Sequence, residues 1–133
     1  MASTGTHKQP AAIRKAEQKK AIQASLSTYN QSPRKVRLVS DMVKGKKVAD
    51  AIAALSFLPK RAALPIKKLI ESAAANGVAK GEEKDALRVA NIQVNSAGMI
   101  VRFMPRAMGR AAPIRRRRSS VVVTLTADKA PTA

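Results

Sequence analysis

The sequence predicts an α+β fold, with three helices packed on a small, about three-stranded antiparallel sheet and a long protruding β-hairpin. Two observations predict this fold. The first is the order of elements: one short strand-like segment, three helical segments, and then two strand-like segments. The second is the connection between the last two strands, which is rich in arginine and contains no acidic residue. Such a connection is typical of an arm that projects into a polyanion.

The composition also points to a polyanionic partner. The chain has 133 residues, typical of one domain, and a formal net charge of +18. Its only aromatic residues are Tyr29, Phe57 and Phe103, too few for a module that stacks several RNA bases on rings. The absence of cysteine excludes disulfides and zinc ribbons. No apolar run approaches the length of a membrane span.

We divide the chain into a basic N-terminal extension, residues 1–24, and a single α+β domain, residues 25–133. The extension is either a solvated tail or a helix that forms on a partner. Its composition also allows a transit peptide and an organellar location, but an uncleaved tail and a cytoplasmic location are preferred. His7 lies in this extension without a partner, and we assign it no catalytic or metal role.

The domain begins with a short predicted strand, Leu26–Tyr29, followed by a helix. Ser32 and Pro33 are typical of an N-cap and a first helical residue. Gly45 suits the stop after the helix. An apolar stripe at helical spacing runs between these signals: Val36, Val39 and Val43.

Two further helices are predicted. The second runs from Val48 to Ser56, and the third ends near Asn76–Gly77. Because proline removes a hydrogen bond and clashes with the preceding turn, the third helix either begins at Pro65 or is kinked there. An exposed acidic loop, Gly81–Asp85, follows it. The apolar face of the third helix comprises Ile66, Leu69, Ile70, Ala73 and Ala74.

Two β-prone segments, Leu87–Val94 and Ser120–Thr126, enclose the arginine-rich connection. The connection is far longer than an ordinary hairpin loop. Gly109 lies near its midpoint, where a tight turn favours a residue that tolerates positive φ. The sequence therefore predicts an extended hairpin over about 97–118, which we call the arm. Because an isolated two-stranded ribbon is marginal in water, we expect the arm to be ordered only inside a partner.

The arm uses only arginine, whereas the helices use mostly lysine. A guanidinium binds phosphate bidentately and stacks on bases, so specific contacts are predicted for the arm and looser backbone contacts for the helices. The predicted RNA-binding residues of the body are Arg34, Lys35, Arg37, Lys44, Lys46, Lys47, Lys60, Arg61, Lys67, Lys68 and Arg88. Those of the arm are Arg102, Arg106, Arg110, Arg115, Arg116, Arg117 and Arg118.

Simpler interpretations compete with some of these motifs. Residues 115–118 also have the composition of a solvated charge run or a localisation signal, although they adjoin a predicted strand. For residues 44–47, simple solvation is an equal alternative. Glu82, Glu83 and Asp85 are more typical of a solvated loop than of an acid/base or Mg²⁺ site, because no other carboxylate accompanies them. No catalytic residue, metal ligand or cofactor is predicted.

Three blocks, Ser32–Val48, Lys67–Asn76 and Met104–Ala111, resemble the family of bacterial-type large-subunit ribosomal protein number twenty-two. In order and spacing they cover about Leu26 to Asp128, and the Met-Pro-Arg-Ala-Met-Gly-Arg-Ala block is highly specific. The resemblance implies a structural protein that binds 23S-type rRNA and organises several of its segments during assembly. It also implies a body near the peptide exit and a hairpin that lines the nascent-chain tunnel.

The same resemblance implies a tunnel-lining tip and a set of partners. The partners are 23S-type rRNA, neighbouring large-subunit proteins at the tunnel constriction and exit, and the nascent polypeptide; no membrane and no homo-oligomer is expected. The chain departs from the family at Met108, where a basic residue is common, and at Ile100 and Val101. The residues of the tip are Met104, Pro105, Arg106, Ala107, Met108, Gly109, Arg110 and Ala111.

Two other classes of function are alternatives. A histone-like DNA-compacting protein also carries a basic β-arm; it would dimerise and use Pro105 as an intercalating wedge. An RNA-modifying enzyme would need a nucleophile, a metal cluster or a cofactor loop, and the sequence supplies no such motif.

Overall fold

Three antiparallel strands form a sheet in which the last strand lies in the middle. The computed structural model describes residues 21–127, and the extension up to residue 20, including His7, lies outside this range. The strands are β1 (Ile22–Tyr29), β2 (Leu87–Pro105) and β3 (Ala111–Ala127), in the order β1-β3-β2. Because β1 is much shorter than its neighbours, β2 and β3 continue beyond it as a two-stranded ribbon.

Three helices complete the domain, and a short 3₁₀ turn at Lys84–Ala86 leads from the last of them into β2. The predicted α+β fold, with its three helices, three-stranded sheet and protruding hairpin, is thus confirmed. The helices are α1 (Pro33–Val43), α2 (Val48–Phe57) and α3 (Ala63–Ala79).

The core lies between the helices and one face of the sheet, and it is aliphatic. From α1 it receives the predicted stripe, with Val36 and Val43 both fully buried. Alternate residues of the strands supply the other side, as expected when one sheet face is covered. The sheet contributes Ile22, Leu87, Val89, Ile92, Val94, Val121, Val123 and Leu125, and α3 contributes Ile66, Leu69, Ile70, Ala73 and Ala74.

The predicted end of the third helix was wrong: α3 continues through Gly77 to Ala79. Gly77 faces the sheet, where an added Cβ would lie 2.9 Å from Leu87 Cδ1. Its small size therefore serves close helix–sheet packing, and Gly81, with φ of 89°, follows the helix instead. Pro65 is the third residue of α3, where backbone N–H groups have no partner within the helix, so it requires no kink.

The start of the first strand was also predicted too late. β1 begins at Ile22 and not at Leu26, so it includes the last residues of the segment assigned to the extension. Ile22 is buried against the core, and Asn76 Nδ2 donates to Gln23 O at 2.9 Å. Side chains of α3 thus hold a polar segment whose own sequence gives little strand signal.

The predicted start and stop of α1 are confirmed. Ser32 is the N-cap, although its side chain makes no capping hydrogen bond, and Pro33 is the first helical residue. Gly45 takes the left-handed conformation, with φ of 75°. From there the backbone joins the edge of β2, since Gly45 N–H donates to Val89 O and Val89 N–H donates to Lys46 O, both at 2.9 Å.

The arm is a regular two-stranded ladder, paired from Met99↔Arg117 to Pro105↔Ala111. At ~3.3 Å per residue, this ladder is roughly 20 Å long before the turn. Residues 101–111 are exposed along their whole length. The arm is therefore held by its own backbone pairing and by little side-chain burial.

We expect the arm to open readily in the free protein. Amides from Gly98 to Arg115 should exchange with deuterium much faster than those of Ile92–Val94, because only the latter lie beside the core. Hydrogen exchange of the isolated monomer, read residue by residue, measures this difference. Equal protection of the two segments would contradict the expectation.

Candidate nucleic-acid interface

The arm begins where the pairing of the sheet is irregular. β1 pairs with β3 as far as Tyr29↔Ser119, after a register shift. On the other side of β3, the pairing with β2 shifts between Ser96 and Met99, where Gly98 has a φ of 86°. Bulges of this kind bend a strand and increase its twist. The two shifts mark the boundary between the three-stranded body and the two-stranded arm.

A groove of about 840 Å³ lies at this boundary, and we call it the junction groove. Its walls come from the β1–α1 connection, the first turn of α1, the α2–α3 connection and the base of the arm. The fold thus brings together predicted RNA-binding residues from distant parts of the sequence. The cations that line the groove are Lys35, Arg61, Arg102, Arg115, Arg116, Arg117 and Arg118.

The electrostatics of the junction groove are one-sided. None of the residues that line it is acidic, and its cations are exposed except for Arg118, which is half-buried. Cations confined to a concave surface repel one another and focus a positive potential into the groove. An anionic ligand removes that repulsion, and the phosphates of a nucleic acid backbone supply anions at a regular spacing.

Three polar atoms at the base of the arm are buried without a partner. Gln31 Oε1, Arg118 Nε and Ser119 Oγ make no hydrogen bond within residues 21–127. Gln31 and Arg118 also line the junction groove. An unpaired buried donor or acceptor costs free energy, so the base of the arm is not fully satisfied by the protein alone.

The two faces of the arm both carry arginine. Residues directly opposite each other in an antiparallel ladder share a face. One face contains the pairs Ile100↔Arg116 and Arg102↔Ile114, and the other contains Met99↔Arg117 and Val101↔Arg115. Each arginine of these pairs lies opposite an apolar residue. An arm of this construction can contact polyanion on both sides along its length.

The tip of the arm is a tight turn. Ala107–Gly109 forms one 3₁₀ turn, and Arg106 N–H donates to Arg110 O at 2.7 Å across its base. Gly109 has the predicted positive φ, of 67°. Met108 also adopts the left-handed region, with φ of 59°, and its side chain is 97% exposed. The outermost group of the tip is therefore an apolar, uncharged side chain.

Three predicted RNA-binding residues also hold the body together. Arg37 Nη2 donates to Val94 O at 3.0 Å and ties α1 to β2. Lys67 Nζ donates to Ser56 Oγ at 3.0 Å and ties α3 to α2. Lys44 forms an exposed ion pair with Asp41, with 3.4 Å between Nζ and Oδ1. Contacts within the protein therefore explain part of the placement of these three cations.

The remaining predicted cations lie away from the junction groove. Lys47 forms a β-bridge with Arg88 near the start of β2, at the opposite end of that strand from the arm. Lys46 is beside them, so the end of α1 and the start of β2 form a second exposed basic region. Also exposed and outside the groove are Arg34, Lys60, Lys68, Arg106 and Arg110.

Sequence reasoning missed the uncharged part of the groove. Asn30, Gln31 and Ser32 line it beside Lys35, and Ile100 lines it from the arm. Ser32 had been singled out only as an N-cap, and Ile100 only as a departure from the family. Their proximity to a basic helix start was the available signal, but only the fold places them against the arm.

Within residues 21–127, no group of three or more His, Cys, Asp and Glu side chains is placed to hold a metal ion. The acidic residues 82–85 lie exposed beside the 3₁₀ turn. In the same range, no helix has the length and hydropathy needed to cross a bilayer.

An arginine-lined groove and an arm that is basic on both faces are typical of a protein that binds structured nucleic acid mainly through the phosphate backbone. The family described as ribosomal protein L22p/L17e matches residues 24–126. The chain belongs to this family. It is a large-subunit ribosomal protein of the uL22 type, a structural component rather than an enzyme.

Curated relatives agree with this assignment. A protein of Pelobacter propionicus named "Large ribosomal subunit protein uL22" is 46% identical over 107 residues, covering 80% of this chain and 96% of its own length. Proteins of the same name from Geobacter metallireducens and Anaeromyxobacter sp. are each 48% identical, covering 80% and 77% of this chain and 96% and 72% of their own length. The resemblance drawn from three motifs is confirmed, and the bacterial relatives agree with a cytoplasmic ribosome.

Proposed function

We propose that the chain binds 23S-type rRNA through the junction groove and the arm, and that it holds several rRNA segments together during assembly of the large subunit. The carrying observation is the junction groove, in which seven cations meet without an acidic residue. Body and arm each supply part of it, so a single RNA backbone in the groove would contact both. The second basic region, around Lys47 and Arg88, suits a different RNA segment.

The tip of the arm is suited to a different partner surface from the one that suits the rest of the arm. The family resemblance implies a hairpin that lines the nascent-chain tunnel, and the tip of this chain carries Met108 rather than a cation. A flexible apolar side chain tolerates many different contacts. We infer that Met104–Ala111 lines the tunnel, beside neighbouring ribosomal proteins at its constriction, and that Met108 touches the passing polypeptide.

Salt dependence tests the rRNA-binding proposal. Each neutralised phosphate contributes about −0.9 (duplex) or −0.7 (single strand) to the slope of log K against log salt. The double variant Arg102→Gln/Arg116→Gln should therefore bind large-subunit rRNA more weakly and with a slope shallower by about 1.4 to 1.8. Filter binding from low to moderate salt measures both quantities.

Lys84→Gln is the matched control for this titration, because Lys84 is exposed but lies outside the junction groove. It should bind with nearly the wild-type slope. A wild-type titration that is flat in salt, or a double variant with the slope of Lys84→Gln, would refute binding through the groove.

Cross-linking tests the tunnel-lining proposal. A benzophenone amino acid at position 108 should label a stalled nascent chain in assembled ribosomes, since this side chain is the most exposed of the tip. The same group at Ala53, exposed on α2, serves as the control and should give no nascent-chain adduct. Ribosomes that contain the protein but give no adduct from position 108 would exclude the proposed contact.

A further inference from the structure

Both phenylalanines of this chain lie outside its core. The sequence has only three aromatic residues, and the buried core is built from Val, Ile, Leu and Ala. Phe57 is 88% exposed and Phe103 is 77% exposed. Since large apolar side chains are stabilised by burial, each exposed ring is available to a partner. Phe103 belongs to the arm, which already has a proposed role, but Phe57 lies on the body and has none.

The segment that carries Phe57 is fixed by hydrogen bonds. Phe57 is the last residue of α2. Just before it, Ser56 Oγ accepts from Lys67 Nζ at 3.0 Å and donates to Ile52 O at 2.9 Å. Just after it, Lys60 N–H donates to Leu58 O at 2.8 Å. The ring is therefore presented from an ordered helix end and not from a loose loop.

The surroundings of Phe57 are cationic. From Ala51 to Ile70 the chain contains four basic residues and no acid. Lys60 and Arg61 follow Phe57 closely and are exposed. Arg61 also lines the junction groove, and its carbonyl accepts from Tyr29 Oη at 3.2 Å. Arg61 thus belongs both to this basic segment and to the junction groove.

We propose that Phe57 is a stacking platform for one unpaired RNA base, with Lys60 and Arg61 binding the phosphates that flank it. This proposal rests on the proposed rRNA-binding function and adds a site to it. Every base offers a π face to an aromatic ring, and cations beside the ring hold the adjoining backbone. The basic residues Lys60 and Arg61 that follow the ring, the second of which also lines the groove, favour RNA over an apolar surface of a neighbouring protein.

The test replaces the ring without removing its apolar character. Phe57→Leu should weaken binding to deproteinised large-subunit rRNA at fixed salt by about fivefold to a hundredfold, as expected for loss of one base–aromatic stack. Because no phosphate contact is lost, the salt slope should stay at its wild-type value. Phe57→Trp should bind at least as tightly as the wild type, since a larger ring also stacks.

Leu64→Ala is the matched control, because Leu64 is 61% exposed near the start of α3 but has no ring. It should bind rRNA like the wild type. Circular dichroism and thermal unfolding of all three variants should match the wild type, since neither side chain belongs to the core.

The outcomes separate this site from the wider function. If wild-type protein binds rRNA and Phe57→Leu binds equally well, the stacking site is wrong and the groove is unaffected. A benzophenone amino acid at position 57 that cross-links only to a neighbouring protein in assembled subunits would also overturn it. If wild-type protein fails to bind rRNA at all, both proposals fall.

Discussion

Mutual repulsion among the cations at the base of the arm is the constraint on which the rest of this structure depends. Arg102 and the four arginines 115–118 meet Lys35 and Arg61 in one groove, and no acid lines that groove. The whole chain has a net charge of +18. Charges of one sign held this closely disfavour the compact state, and a bound polyanion reverses the effect. We therefore expect a bound polyanion to stabilise the arm and the body.

The sheet topology explains why the repulsion is concentrated at this point. β3 is central, and β1 covers it only as far as Ser119. Beyond that residue, β2 and β3 lose the support of the third strand and of the core together. Towards the tip, the next residues of β3 are the arginines 115–118, so burial within the protein ends here and, in the function we propose, contact with nucleic acid begins. The apolar residues show the same division between internal and external contacts. The core is aliphatic, and both phenylalanines are exposed.

The sequence predicted the elements that depend on local chemistry. Ser32 and Pro33 predicted the start of the first helix, and Gly45 predicted its end. Gly109 predicted the position of the turn of the arm. Features that depend on contacts between residues far apart in the sequence could not be predicted from local patterns. The predicted end of α3 was wrong because Gly77 allows close packing against Leu87 and does not end the helix. Likewise, local sequence could not show that Gln31 and Arg118 line one groove, or that Arg37 donates to Val94 O.

Co-sedimentation of the four-arginine variant Arg115→Gln/Arg116→Gln/Arg117→Gln/Arg118→Gln with large subunits tests the central claim most directly. Subunits depleted of the protein would be mixed with wild type or variant at low salt and separated on a sucrose gradient. We expect the wild type to sediment with the subunits and the variant to remain at the top while keeping its helical circular dichroism. A folded variant that sediments with the subunits as fully as the wild type would contradict the account.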